Sequence, residues 1–177
     1  MRKTALFLLA LGGLPLFAQN PAPQKAGLAI PHVARPPLLE DFLDMKPPPD
    51  LASSMAKVEN LIQRDPEDGK PANQRTEIYV GWDDKNLYVV FVCFDKNPEL
   101  IRARMGRRES IDGDDTVWVF LDPFQDHQRA YEFAVNPFGI QLDGITTESQ
   151  GDDFSWDTLW ESQGRSEEHT LNSSHRH

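Results

Sequence analysis

From Thr76 onward the chain alternates apolar and polar side chains with a period of two, which confines it to strands. Ile78, Val80 and Trp82 interleave with Glu77, Tyr79 and Gly81, the spacing of a half-buried strand. Asp83-Asp84-Lys85-Asn86 follows as a turn, because Asp and Asn bond their own backbone and Asn tolerates the left-handed conformation of a tight hairpin. Leu87 to Phe94 is apolar on both faces and rich in β-branched and aromatic residues, as in a central strand covered on both sides. Val117, Val119 and Leu121 alternate with Trp118 and Phe120 in a third strand over Asp115 to Asp122. Tyr131, Phe133 and Val135 mark a fourth over Ala130 to Asn136. Asn136-Pro137-Phe138-Gly139 places Asn, Pro and Gly where a type I turn takes them. That turn leads into a fifth strand over Gly139 to Thr146, and Ser155 to Glu161 begins a sixth. Hairpin-linked strands at this spacing predict an all-β chain, folded as an antiparallel β-sandwich.

The segment before Thr76 is less regular. Arg2 and Lys3 precede an apolar run from Ala5 to Phe17, and Ala18 closes it before Gln19 and Asn20. That is the layout of a secretory signal peptide over residues 1–18, and the run is short for a membrane span. It implies an exported protein of the periplasm, outer membrane or extracellular space. Residues 19–35, rich in Pro and Ala, read as a linker or an extended lead-in. Leu38, Leu39, Phe42 and Leu43 carry enough apolar surface to dock, and Pro47-Pro48-Pro49 stops a helix from continuing. Leu51 to Arg64 is either a short helix presenting Leu51, Met55, Val58 and Ile62 or an extended stretch. Asn97-Pro98 is placed to start another short helix.

At the other end, Arg165 to His177 has no apolar periodicity and reads as a non-native tail or a natural disordered one. The first reading is adopted, so the sandwich domain is residues 36–164 and its closing strands are expected to be missing.

Charge and motif content narrow the chemistry. With 28 acidic against 18 basic residues, the chain repels phosphate backbones, which excludes nucleic acid as an expected partner. Cys93, the one cysteine, lies in an apolar run and is expected to be buried and inert. No nucleophile elbow, HExxH motif or paired-cysteine metal motif occurs, and acidic residues are too numerous for a catalytic pair to stand out. No catalytic residue is therefore assigned. Asp112, Asp114 and Asp115 can supply oxygen ligands to calcium, although Asp and Gly at this spacing also build an ordinary turn.

The tryptophans are the remaining chemistry. Aromatic faces bind sugars by stacking on their C–H surfaces, with nearby carboxylates or amides bonding the hydroxyls. Trp82 and Trp118 lie in strands and are expected in the core. Trp156 and Trp160 follow a polar loop and adjoin Asp157, so these three are the candidate ligand-binding residues.

Thr76-Glu77-Ile78 through Trp82-Asp83-Asp84-Lys85-Asn86-Leu87-Tyr88-Val89, Arg107-Arg108-Glu109 and Asp114-Asp115-Thr116-Val117 through Leu121-Asp122 form an ordered set. Tyr131 to Gly139 and Trp156-Asp157-Thr158-Leu159-Trp160 continue it. Together they resemble the family 9 carbohydrate-binding modules, and more closely the family-9-like domain that opens large bacterial outer-membrane proteins. The resemblance spans roughly Pro37 to Gly164. It implies a β-sandwich that binds poly- or oligosaccharide without catalysis, in a parent protein of polysaccharide breakdown or uptake, a glycoside hydrolase among the parents the resemblance implies. It equally implies a second reading, a structural or interaction domain ahead of a C-terminal outer-membrane barrel with no sugar ligand. Asp112 and Trp118 fall where sugar-binding members carry a stacking tryptophan and a glutamate, so the resemblance implies weak sugar binding.

Overall fold

The computed structural model describes residues 27–166. They form an all-β, sandwich-like fold of two antiparallel sheets, one of three strands and one of four. The signal-peptide segment lies outside the described residues, as does the expected tail beyond Ser166.

The first sheet contains β1 (Ala56–Val58), β2 (Thr76–Trp82) and β3 (Leu87–Cys93), in that order. Strands β2 and β3 make the predicted hairpin, with Val80 opposite Val89. Its turn is held by Asp83, whose Oδ1 accepts the N–H groups of Lys85 and Asn86 at 2.8 Å each. Period two is present, but the more buried face is the polar one: Glu77, Tyr79 and Gly81. The cause is what lies upstream. A six-residue helix α1 (Pro49–Ser54), a 3-10 turn at Leu39–Phe42 and the extended residue Val33 all cover that face. Val33, Phe42, Leu51, Met55, Tyr79 and Val92 form its buried cluster.

Residues 27–35 are therefore more than a free linker. Val33 is 1% exposed, and its N–H donates to Trp82 O at 2.8 Å. Gly81 allows that approach, since a Cβ there would lie 2.6 Å from a Val33 methyl. Pro49 starts α1 at its first position, where a missing N–H costs nothing. Met55 then turns extended and the chain enters β1, so the helix to Arg64 does not form.

Three core expectations fail in this half. Trp82 is 43% exposed, with its indole N–H donating to Ile30 O at 3.0 Å. Cys93 is exposed at the end of an edge strand. Strand β3, having a neighbour on one side only, is half-buried over most of its length.

The second sheet runs β4 (Val117–Leu121), β5 (Arg129–Val135), β6 (Gln141–Thr147) and β7 (Gly151–Asp153). The register aligns Trp118, Ala134 and Leu142 on one face, where Ile111 covers them. Trp118 thus packs against the buried cluster, as its strand pattern predicts. The other face carries Val119 beside Phe133 and Leu121 beside Tyr131. The β5–β6 turn closes with Gly139 N–H on Asn136 O at 2.8 Å. No helix among the described residues is long and apolar enough to cross a membrane.

Candidate functional site

The predicted sixth strand is extended but joins no ladder. Its backbone bonds go to side chains of β6, and a side chain at its end reaches the turn before that strand. Thr158 N–H donates to Asp143 Oδ2 at 2.8 Å, and Trp160 O accepts from Gln141 Nε2 at 2.9 Å. Ser162 Oγ then donates to Gly139 O at 2.8 Å. The partners step by two in opposite directions, so this arm runs antiparallel to β6, anchored above one sheet face. Gly139 and Gly164 seat its end, because a Cβ on Gly164 would meet Gly139 N at 2.6 Å.

Arg108 fastens the arm from the side. Its guanidinium donates to Gln141 Oε1 at 3.1 Å, Asp143 Oδ1 at 2.5 Å and Thr158 O at 2.6 Å. It also pairs with Asp157 Oδ1 at 2.8 Å. The Asp143 side chain is 1% exposed, and removing such a buried carboxylate's partner is expensive. Arg108 reaches this place because the neighbouring Glu109, at φ 71°, donates its N–H to Gln141 O at 2.7 Å along β6. Ile111, three residues on, inserts into the cluster on the opposite sheet face.

The arm alternates as its sequence predicts. Trp156, Thr158 and Trp160 are half-buried, whereas Asp157 and Leu159 point outward. The Trp156 ring lies 5.0 Å from that of Tyr131 and 6.3 Å from that of Phe133. Trp160 meets Phe133 edge-on at 5.3 Å. Trp156, Trp160 and Asp157 are thus brought together, with Asp157 at 66% side-chain exposure beside half-buried aromatic rings.

The acidic run is used otherwise. Asp114 accepts from Asn136 Nδ2 at 2.9 Å and Arg104 Nε at 3.0 Å. The Asn136 bond, then the Arg104 contacts, outweigh desolvation and hold its carboxyl below the usual range. Asp115 accepts the Arg102 N–H at 2.9 Å, and Asp112 presents its backbone carbonyl to Arg104. These carboxylates tie the loop before β4 to the β5–β6 turn. No group of three or more His, Cys, Asp or Glu among the described residues is arranged to hold a metal ion, and Asp112, Asp114 and Asp115 make the contacts just given.

No family model, curated protein or solved structure matches this chain.

Two features escaped the sequence. Arg108 stands in the quoted motif set, but its role as a fastener carries no local signal, since its β6 partners lie at least 33 residues away. Glu132 is 1% exposed on β5 yet looks like the polar half of an alternating strand.

Proposed function

We propose that this domain is a non-catalytic carbohydrate-binding module, with the arm from Trp156 to Trp160 as its ligand-facing element, within a larger exported protein of polysaccharide breakdown or uptake. The observation that carries this reading is the clustering of Trp156, Tyr131, Phe133 and Trp160 beside the exposed carboxylate of Asp157. An indole face supplies a stacking surface for sugar C–H groups, and a rim carboxylate accepts hydroxyl hydrogen bonds. The motif resemblance described above supports the same reading. The arm is also pinned by polar contacts, which limits the ordering cost of binding.

A second reading, a structural or interaction sandwich ahead of an outer-membrane barrel, has one observation in its favour. Gln141 and Asp143 spend their hydrogen bonds on the arm and Arg108, and Trp160 presents its ring to Phe133. Calorimetry with mono- and oligosaccharides, comparing the unmodified chain with Trp156→Ala and Trp160→Ala, separates the two. Weak heats that are abolished by Trp156→Ala at an unchanged melting temperature are expected. An absence of heat with every sugar, or a large fall in melting temperature in both variants, would favour the structural reading.

A further inference from the structure

Strand β3 is the edge of the three-stranded sheet, and the hydrogen bonds around it show which of its backbone groups are free. At the hairpin turn the Asp83 N–H donates to Asn86 O at 3.0 Å, and just past the strand the Phe94 N–H donates to Arg75 O at 2.9 Å. Trp82 instead spends its N–H on Pro31 O and its carbonyl on the Val33 N–H, away from β3. Bonded and unbonded positions alternate along an antiparallel pair. Tyr88, Val90 and Val92 therefore bond β2, opposite Gly81, Tyr79 and Glu77. Leu87, Val89, Phe91 and Cys93 turn their N–H and C=O groups outward, where these meet no partner among the described residues.

Nothing within the strand blunts this edge. Leu87–Cys93 reads LYVVFVC, without the proline or inward charge that protects natural edge strands. Its charges stand just outside it. Asp84 and Lys85 lie in the turn before β3, Asp95 and Lys96 follow it, and all are exposed. The side chains of Lys85 and Lys96 meet no carboxylate among the described residues.

We propose that β3 pairs antiparallel with β3 of a second copy of this chain, about a two-fold axis at Val90. Leu87 then opposes Cys93 and Val89 opposes Phe91, so every outward N–H and C=O finds a counterpart. The same register brings Lys85 beside Asp95 and Asp84 beside Lys96 of the second copy, and the two-fold axis repeats both pairs. A slip of two residues, the smallest that keeps outward groups facing each other, loses the match. In one direction it sets Asp83 against Asp95; in the other it sets Lys85 against Asn97 and Asp95 against Leu87. Copies at a net charge of −10 repel one another, so opposite charges at the strand ends are what select this register. The pairing uses the sheet that does not carry the arm, and it holds whether or not the arm binds sugar.

The test is sedimentation of the full chain over a concentration series, with zero-length carbodiimide coupling of mixed isotope-labelled and unlabelled copies. A monomer–dimer equilibrium is expected, with Lys85–Asp95 and Lys96–Asp84 cross-links that join labelled to unlabelled chains. Lys85→Glu should weaken the dimer about tenfold, because it sets like charges together at both ends of the interface. Adding Asp95→Lys to that variant should restore association. A chain that stays monomeric at every concentration would overturn the proposal, whether its β3 amides exchange freely or are protected by another segment. So would a dimer that lacks these cross-links, or one indifferent to the charge reversal. Sedimentation and cross-linking of the unmodified chain decide the matter even if a variant fails to fold.

Discussion

The two sheets each bury a glutamate, and they treat it in opposite ways. Glu77, 3% exposed in the three-stranded sheet, accepts from Lys57 Nζ at 2.8 Å and from the Tyr79 hydroxyl at 2.6 Å, with Arg75 alongside. Burial works against its charge, but Lys57, Tyr79 and Arg75 prevail and hold the carboxyl down at about 2. Glu132 in the four-stranded sheet is pushed upward, by burial first and then by the Asp152 charge. Acidification therefore loosens the first site and tightens the second. The difference extends beyond these residues. The first sheet rests on a buried apolar cluster of six residues, whereas the second has Ile111, Ala134 and Leu142 and relies on polar pins. Arg108 Nε, Glu132 Oε1 and Trp160 Nε1 are buried without hydrogen-bond partners, and all three lie in the second half. Unpaired buried polar groups cost stability, and these three fall in the half that carries the arm.

The sharpest way to break this contrast is to damage each half separately. Phe42→Ala removes a ring that is 7% exposed and packs 5.7 Å from Tyr79. It should cost about 3–5 kcal/mol in urea denaturation, as large core truncations do, while leaving the environments of Trp156 and Trp160 unchanged below the transition. Loss of the arm signals in that variant would show that the halves are one cooperative unit.

Arg108→Met is the complementary change. Asp143 keeps the Thr158 N–H but loses its cation, at a cost of about 3 kcal/mol for a broken buried pair. The loss should be local. Amides of residues 156–162 should exchange faster, whereas those of β2 and β3 keep their protection, as separate opening units do. Uniform loss of protection across both sheets would contradict the assignment of Arg108 to the arm.

Much of the frame is legible in the sequence because period two and turn chemistry are local signals. The β2–β3 hairpin, strands β4, β5 and β6 and the Asn136–Gly139 turn all follow from them. What period two cannot say is which face is covered. Glu77 and Tyr79 are buried because α1 and Val33 come from upstream, and the same packing leaves Trp82 outside. The arm shows the opposite limit. Its alternation is real, but its hydrogen bonds go to Gln141 and Asp143 side chains, which a strand pattern does not encode. Strand β7 is three residues of Gly and Asp, a composition that reads as a turn. Trp156, Trp160 and Asp157 were locatable as a group because they are sequence neighbours, whereas Arg108 and Glu132 needed the third dimension.

The proposal that the aromatic arm faces a carbohydrate is tested most directly by following the four indole N–H resonances while titrating the chain with cello- and xylo-oligosaccharides. The account predicts saturable shifts of the Trp156 and Trp160 resonances, with Trp118 and Trp82 unmoved. Shifts confined to the exposed Trp82, or no shift at any of the four, would contradict it.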